Sequence, residues 1–162
     1  MADIRGYRGP LPHPDFRRQV ADEVFPPYQD VISGEVTLRT NRTLGIARFN
    51  GRIKNVFASC QKSGKKDSAT PPYMDANVEI AGVSVLSTKV KIAHVSGEAS
   101  VSKTSFPEAE DTGITQPVID EDVNLFAPGD ILTWTCTYYS GESAPTSHLK
   151  APGIIVEVEP LG

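Results

Sequence analysis

The residue types that could carry chemistry in this chain are few and scattered. The three histidines, His13, His94 and His148, stand far apart, and none has a carboxylate or second histidine at metal-ligand spacing. They read as ordinary surface or loop residues. Asp120 and Asp122 flank Glu121, so on a strand the two aspartates share one face, but the segment lacks the spacing of an EF-hand calcium loop. The thirteen glycines fall singly, as turn residues do, and leave no phosphate cradle. There is no G-x-S-x-G nucleophile elbow, and Cys60 has no histidine near it in sequence to activate it. The chain is therefore expected to be no enzyme, with no metal site and no cofactor.

Cys60 and Cys136 are the only cysteines and lack CxxC spacing. They read as buried free thiols in a reducing compartment, with a disulfide stapling two strands as the alternative. The net charge of −4 lacks the footprint of a nucleic-acid binder. No segment has the length and apolarity of a membrane span, and none near the start resembles a signal-peptide core. Without such a signal, Asn41-Arg42-Thr43 matches the glycosylation pattern by chance.

The elements that position these residues fall into two parts. Residues 1–32 form an extended proline-rich arm, holding Pro10, Pro12, Pro14, Pro26 and Pro27. Proline fixes φ and removes a donor, so this stretch cannot join a central strand. One short helix is expected over Asp15–Val24, with Phe16, Val20 and Val24 on one face, ended by Pro26-Pro27. It either packs on its own domain or reaches across a neighbouring subunit. Tyr7, Arg8, Phe16, Arg17, Arg18, Phe25 and Tyr28 are the arm's candidate contact residues.

From residue 33 the period becomes two, and residues 33–162 read as one β-sandwich. Val36 and Leu38 alternate with polar neighbours, and Asn50-Gly51 is a turn signal before a strand over Arg52–Gln61. Lys62–Pro72 reads as a flexible polar loop, and Asn77–Ile92 as a hairpin turning at Ala81-Gly82. In Asp130–Tyr139, Leu132, Trp134, Cys136 and Tyr138 share one face and Thr133, Thr135 and Thr137 the other. Adjacent Tyr138 and Tyr139 point to opposite faces, which puts one of them outside. Ile154, Val156 and Val158 mark the last strand. Short strands without crossover helices give an all-β, jelly-roll-like antiparallel sandwich.

A long acidic connection, about 94–124, interrupts the pattern, whereas residues 39–66 are basic. It reads as a mobile, solvated loop or as one half of a contact between subunits. In the second case Arg48, Arg52 and Lys54 would face Asp120 and Asp122.

The stretch "GRIKNVFASC", a polar loop and "MDANVEIAGVSVLSTKVKI" resemble the central strands of tailed-bacteriophage capsid decoration proteins, also called cement, head-stabilising or head-fibre proteins. "FAPGDILTWTCTYYSGESAPTSHLKAPGIIVEVEPLG" resembles their closing strand pair. The resemblance implies a virion structural protein, a homotrimer on the outer capsid surface that stabilises contacts between major capsid subunits and is assembled in the host cytoplasm. It implies no direct contact with nucleic acid or membrane. The rival expectation is a receptor- or carbohydrate-binding domain of a phage tail fibre or baseplate.

Overall fold

A computed structural model describes residues 27–36, 39–65, 70–140 and 147–162. The helix expected at 15–24 and the arm residues Tyr7, Arg8, Phe16, Arg17, Arg18 and Phe25 lie outside the described residues. Apart from one 3-10 turn at Pro107–Ala109, every described element is a strand, and the strand pairings are antiparallel. The protein is an all-β sandwich.

One layer is a five-stranded sheet. It orders β1 (Tyr28–Val31), β16 (Gly153–Pro160), β4 (Gly51–Cys60) and β10 (Lys103–Thr104), with β13 (Leu125–Phe126) also paired to β4. The other is six-stranded. It orders β11 (Ile114–Thr115), β9 (Val90–Ala93), β6 (Tyr73–Ile80), β14 (Ile131–Tyr139) and β3 (Arg39–Ile46), with β7 (Val83–Ser84) also on β6. Consecutive long strands β3, β4 and β6 change sheets each time, as a jelly roll does.

Between the layers lies one apolar core. Ile53, Val56 and Ala58 of β4 and Ile154 and Val156 of β16 meet Met74, Ala76, Val78 and Ile80 of β6 and Leu132, Trp134, Cys136 and Tyr138 of β14. Period-two alternation places these sets inward, broken once in β4, where a bulge at Lys54 keeps both Ile53 and Val56 inside, and burying a Val, Ile or Leu side chain contributes roughly 1.5–3 kcal/mol. Tyr138 is the inner member of the tyrosine pair and Tyr139 the outer one.

Several expectations change. Strand β1 falls inside the span assigned to the arm, so the sandwich takes in residues from Tyr28 onward. It follows Pro27 directly and occupies a sheet edge, where an adjacent proline removes no central ladder bond. Asn50-Gly51 closes no hairpin, because β3 and β4 belong to different sheets; the turn is an arch, tied by Leu161 N donating to Asn50 O. Ala81-Gly82 is the expected tight turn, with φ of 49° and 83°, the left-handed pair that a two-residue hairpin needs. Past β7 the chain departs as β8 (Leu86–Thr88), paired with β12 (Val118–Ile119), and returns to β6 as β9.

In the polar loop expected at 62–72, residues Lys62–Lys65 form β5, which pairs with β15 (Ser147–Lys150); β15 pairs in turn with β2 (Glu35–Val36). The acidic connection is likewise built, not loose. It contributes β10, β11, β12 and the 3-10 turn, around the buried Lys103. Lys103 Nζ donates to Ala93 O (3.2 Å), Thr112 O (2.8 Å), Thr112 Oγ1 (3.1 Å) and Glu98 Oε2 (3.1 Å). A buried ammonium needs this full set of acceptors, and they fix the loop.

Candidate functional site

Each sheet carries one distinctive patch on its outer surface, apolar on the five-stranded sheet and polar on the six-stranded one. On the five-stranded sheet the run Val56-Phe57-Ala58 buries its outer members in the core, so Phe57 points outward. Its ring stacks on Phe106, at 4.0 Å between centroids and 13° between planes, yet Phe106 stays 37% exposed. Ile155 sits directly across from Phe57, and Val31, 60% exposed, follows on β1 beside Gly153. Beside the Phe57–Phe106 stack runs an open groove of about 690 Å³, bordered by Pro107, Pro117 and Ile119. At its rim Asn55 Nδ2 donates to Glu157 Oε2 at 2.6 Å. The stripe is apolar and lies on an outer surface.

The outer face of the six-stranded sheet is polar from Tyr139 to Thr133, and beyond it the exposed Ile46 and Ile131 pair across β3 and β14. Registers Tyr139↔Tyr73, Thr137↔Asp75, Thr135↔Asn77 and Thr133↔Glu79 align four outward pairs, and Thr137↔Arg39 adds β3. Tyr73 and Tyr139 stack at 4.5 Å, and Lys91 Nζ lies 3.9 Å over the Tyr73 ring. Burial holds the Asp75 carboxyl above the usual range, against the opposing pull of Lys89 and Lys91.

The charged residues expected to join subunits are placed as follows. Arg52 is engaged within the chain: its NH2 group lies 2.6 Å from Glu159 Oε2, and its hydrogen bond and charge hold that carboxyl below the usual range. Lys54 and Arg48 are exposed. Asp120 and Asp122 lie on a turn, not a strand, with Asp120 Oδ1 accepting the Asp122 amide at 3.1 Å. That turn is laid beside β4 by Ile53 N donating to Asn124 O, so basic and acidic segments meet within one chain. No ion pair joins these two sets among the described residues. Tyr28 packs against the core, close over Gly45. Cys60 and Cys136 are free and buried.

Among the described residues there is no cluster of three or more His, Cys, Asp or Glu able to hold a metal, and no helix long and apolar enough to cross a membrane. From sequence, Thr133, Thr135 and Thr137 share one face of β14 and one of Tyr138 and Tyr139 lies outside, but the apolar stripe is not anticipated. The available signal for it was Phe57, caught between two inward residues. No protein-family model matches this chain, and neither does any curated protein sequence.

Proposed function

We propose that this chain is a virion structural protein that decorates the outer surface of a phage head, as a homotrimer bound where major capsid subunits meet. The apolar stripe Val31–Ile155–Phe57–Phe106 is the observation that carries the reading. A lone protomer leaves it in water, and covering such side chains contributes roughly 1.5–3 kcal/mol for each one fully buried. Many copies on a symmetric shell multiply a modest contact through avidity. The described chain enters the sandwich at β1, the edge of this same sheet, and the sequence before it carries the aromatics Tyr7, Phe16 and Phe25. The likeness of residues 51–160 to decoration proteins points the same way.

Light scattering on the full-length protein tests the oligomer, and binding to undecorated shells tests the surface. A trimer at micromolar concentration is expected; a monomer sinks that part. Phe106→Glu should weaken trimer formation or shell binding by more than about tenfold. Unchanged behaviour in both assays rejects the apolar face. Removing residues 1–26, which leaves β1 whole, tests the arm in the same shell assay.

A further inference from the structure

We propose that the polar depression on the outward face of the six-stranded sheet is a saccharide subsite that holds one pyranose ring of a hydroxyl-rich glycan. This inference is independent of how the protein docks to a shell, because it concerns the opposite sheet.

The depression has a volume of about 230 Å³ and is framed by residues of β3, β6 and β14 together with Lys89. That is below the roughly 300–1,000 Å³ of pockets for drug-sized ligands, so it suits a single ring. Thr135 lines it and is only 5% exposed, yet its Oγ1 has no hydrogen-bond partner. A hydroxyl offers one donor and two acceptor sites, and burying it unpaired costs stability. Valine would fill the same space on a strand without that penalty. A buried hydroxyl left without a partner in the lining of a concave polar face is what a ligand hydroxyl would complete.

The surrounding groups select the ligand chemistry. Asp75 and Glu79 supply acceptors, and Arg39 and Lys89 supply donors, all within the one depression. Two carboxylates oppose a phosphate or sulfate. Two cations flank the same depression, Arg39 from β3 and Lys89 from the β9 side, and with Lys91 over the Tyr73 ring they oppose a metal ion. A neutral polyol satisfies both kinds of group at once. At one end stands Tyr139, 42% exposed. Tyr73 covers one face of its ring, which leaves the other to stack on the apolar C–H face of a sugar. Asn77 is already committed, accepting from Ser84 Oγ at 2.8 Å and donating to Glu79 Oε1 at 3.3 Å, so it holds Glu79 in place.

The test uses the full-length protein and saturation-transfer NMR with the methyl pyranosides of glucose, galactose, mannose and N-acetylglucosamine, all neutral. At least one should receive saturation, with a dissociation constant on the order of 1 mM and amide shifts centred on Thr135, Asn77 and Thr137. Thr135→Val should abolish transfer while leaving the urea midpoint unchanged or raised, which a merely structural threonine would not do. Tyr139→Ala, at the exposed rim, should also abolish it, and Phe106→Glu on the other sheet should not. No transfer to any of these sugars overturns the proposal. So does transfer that survives both Thr135→Val and Tyr139→Ala, or that Phe106→Glu removes.

Discussion

The indole Nε1 of Trp134, at the centre of the core, donates a 2.9 Å hydrogen bond to Oδ2 of Asp30 on the edge strand of the opposite sheet. Arg42 completes the arrangement from β3, with Nε 2.9 Å from Oδ2 and its NH2 group 3.1 Å from Oδ1. One carboxylate thus closes the open side of the sandwich by tying β1 to β14 and β3. Burial pushes the Asp30 carboxyl up, but the hydrogen bonds from Trp134 and Arg42 together outweigh it and hold it below its ordinary 3.8.

Asp30→Ala should therefore cost about 1.5–3 kcal/mol, since it orphans a buried indole N–H that had a charged acceptor. The half-exposed Arg42 pair adds little to this. A lowered carboxyl contributes stability that is present above its unfolded value and is lost as pH falls through the folded one. Wild type should accordingly lose stability on acidification below about pH 4, and Asp30→Asn should lose less over the same window. Urea titrations followed by Trp134 fluorescence read both effects. Equal acid sensitivity in the two proteins would refute the assignment.

Lys103 organises the acidic connection in the same manner. Lys103→Met keeps the aliphatic stem but strands the carbonyls of Ala93 and Thr112, so a loss of about 2–3 kcal/mol is expected. Hydrogen bonds from Thr112 and Lys103 hold the Glu98 carboxyl below its ordinary 4.5, so their stabilising effect is present above that value and fades below it. Hydrogen exchange should show residues 94–116 opening together in the variant. Protection lost at Lys103 alone would mean that the loop is held by something else.

How much of this was legible in the sequence depended on strand length. Leu132, Trp134, Cys136 and Tyr138 span enough residues for a period of two to appear, and β14 follows them. Strands β10 to β13 have two residues each, too few to carry any period, and β10 is held by bonds to residues outside it, Lys103 Nζ to Ala93 O and, just past the strand, Ser105 Oγ accepting from Ala58 N at 2.8 Å. Composition marked their segment only as acidic. The polar depression was hidden for a related reason. Thr135 could be placed on the outward face, but its meeting with Arg39 and Asp75 is a consequence of register between β3, β14 and β6, which no local pattern encodes.

Gly51 is fixed by space and not by backbone torsion. A Cβ there would stand 2.5 Å and 2.8 Å from the Phe126 ring and 2.9 Å from Phe49. Those two rings meet edge to face, at 5.5 Å and 71°, beneath the arch between the sheets. Gly51→Ala should destabilise by about 1–3 kcal/mol through overpacking, and the Gly51→Ala, Phe126→Leu double variant should recover part of it. Strict additivity of the two losses in a double-mutant cycle would show that the rings are not what excludes the methyl.

The two thiols give a direct check on how the layers face each other. Cys60 lies on β4 and Cys136 on β14, in opposite sheets. Burial pushes Cys60 up to about 11 and Cys136 up to about 12, the latter also raised by its neighbour Cys60. At pH 8 neither has appreciable thiolate, and the thiolate is the nucleophile. In the native protein both should resist a disulfide-exchange reagent at pH 8, and in urea both should react at once. Their slow native labelling should track the opening of the sandwich, so Asp30→Ala should speed it by about the factor by which it raises the unfolded population. Cys136→Ala should be tolerated better than Cys136→Ser, whose hydroxyl would enter an apolar site unpaired at a cost of about 1–3 kcal/mol. Rapid labelling of either thiol in the folded wild type would place that cysteine outside the core and break the inward register of its strand.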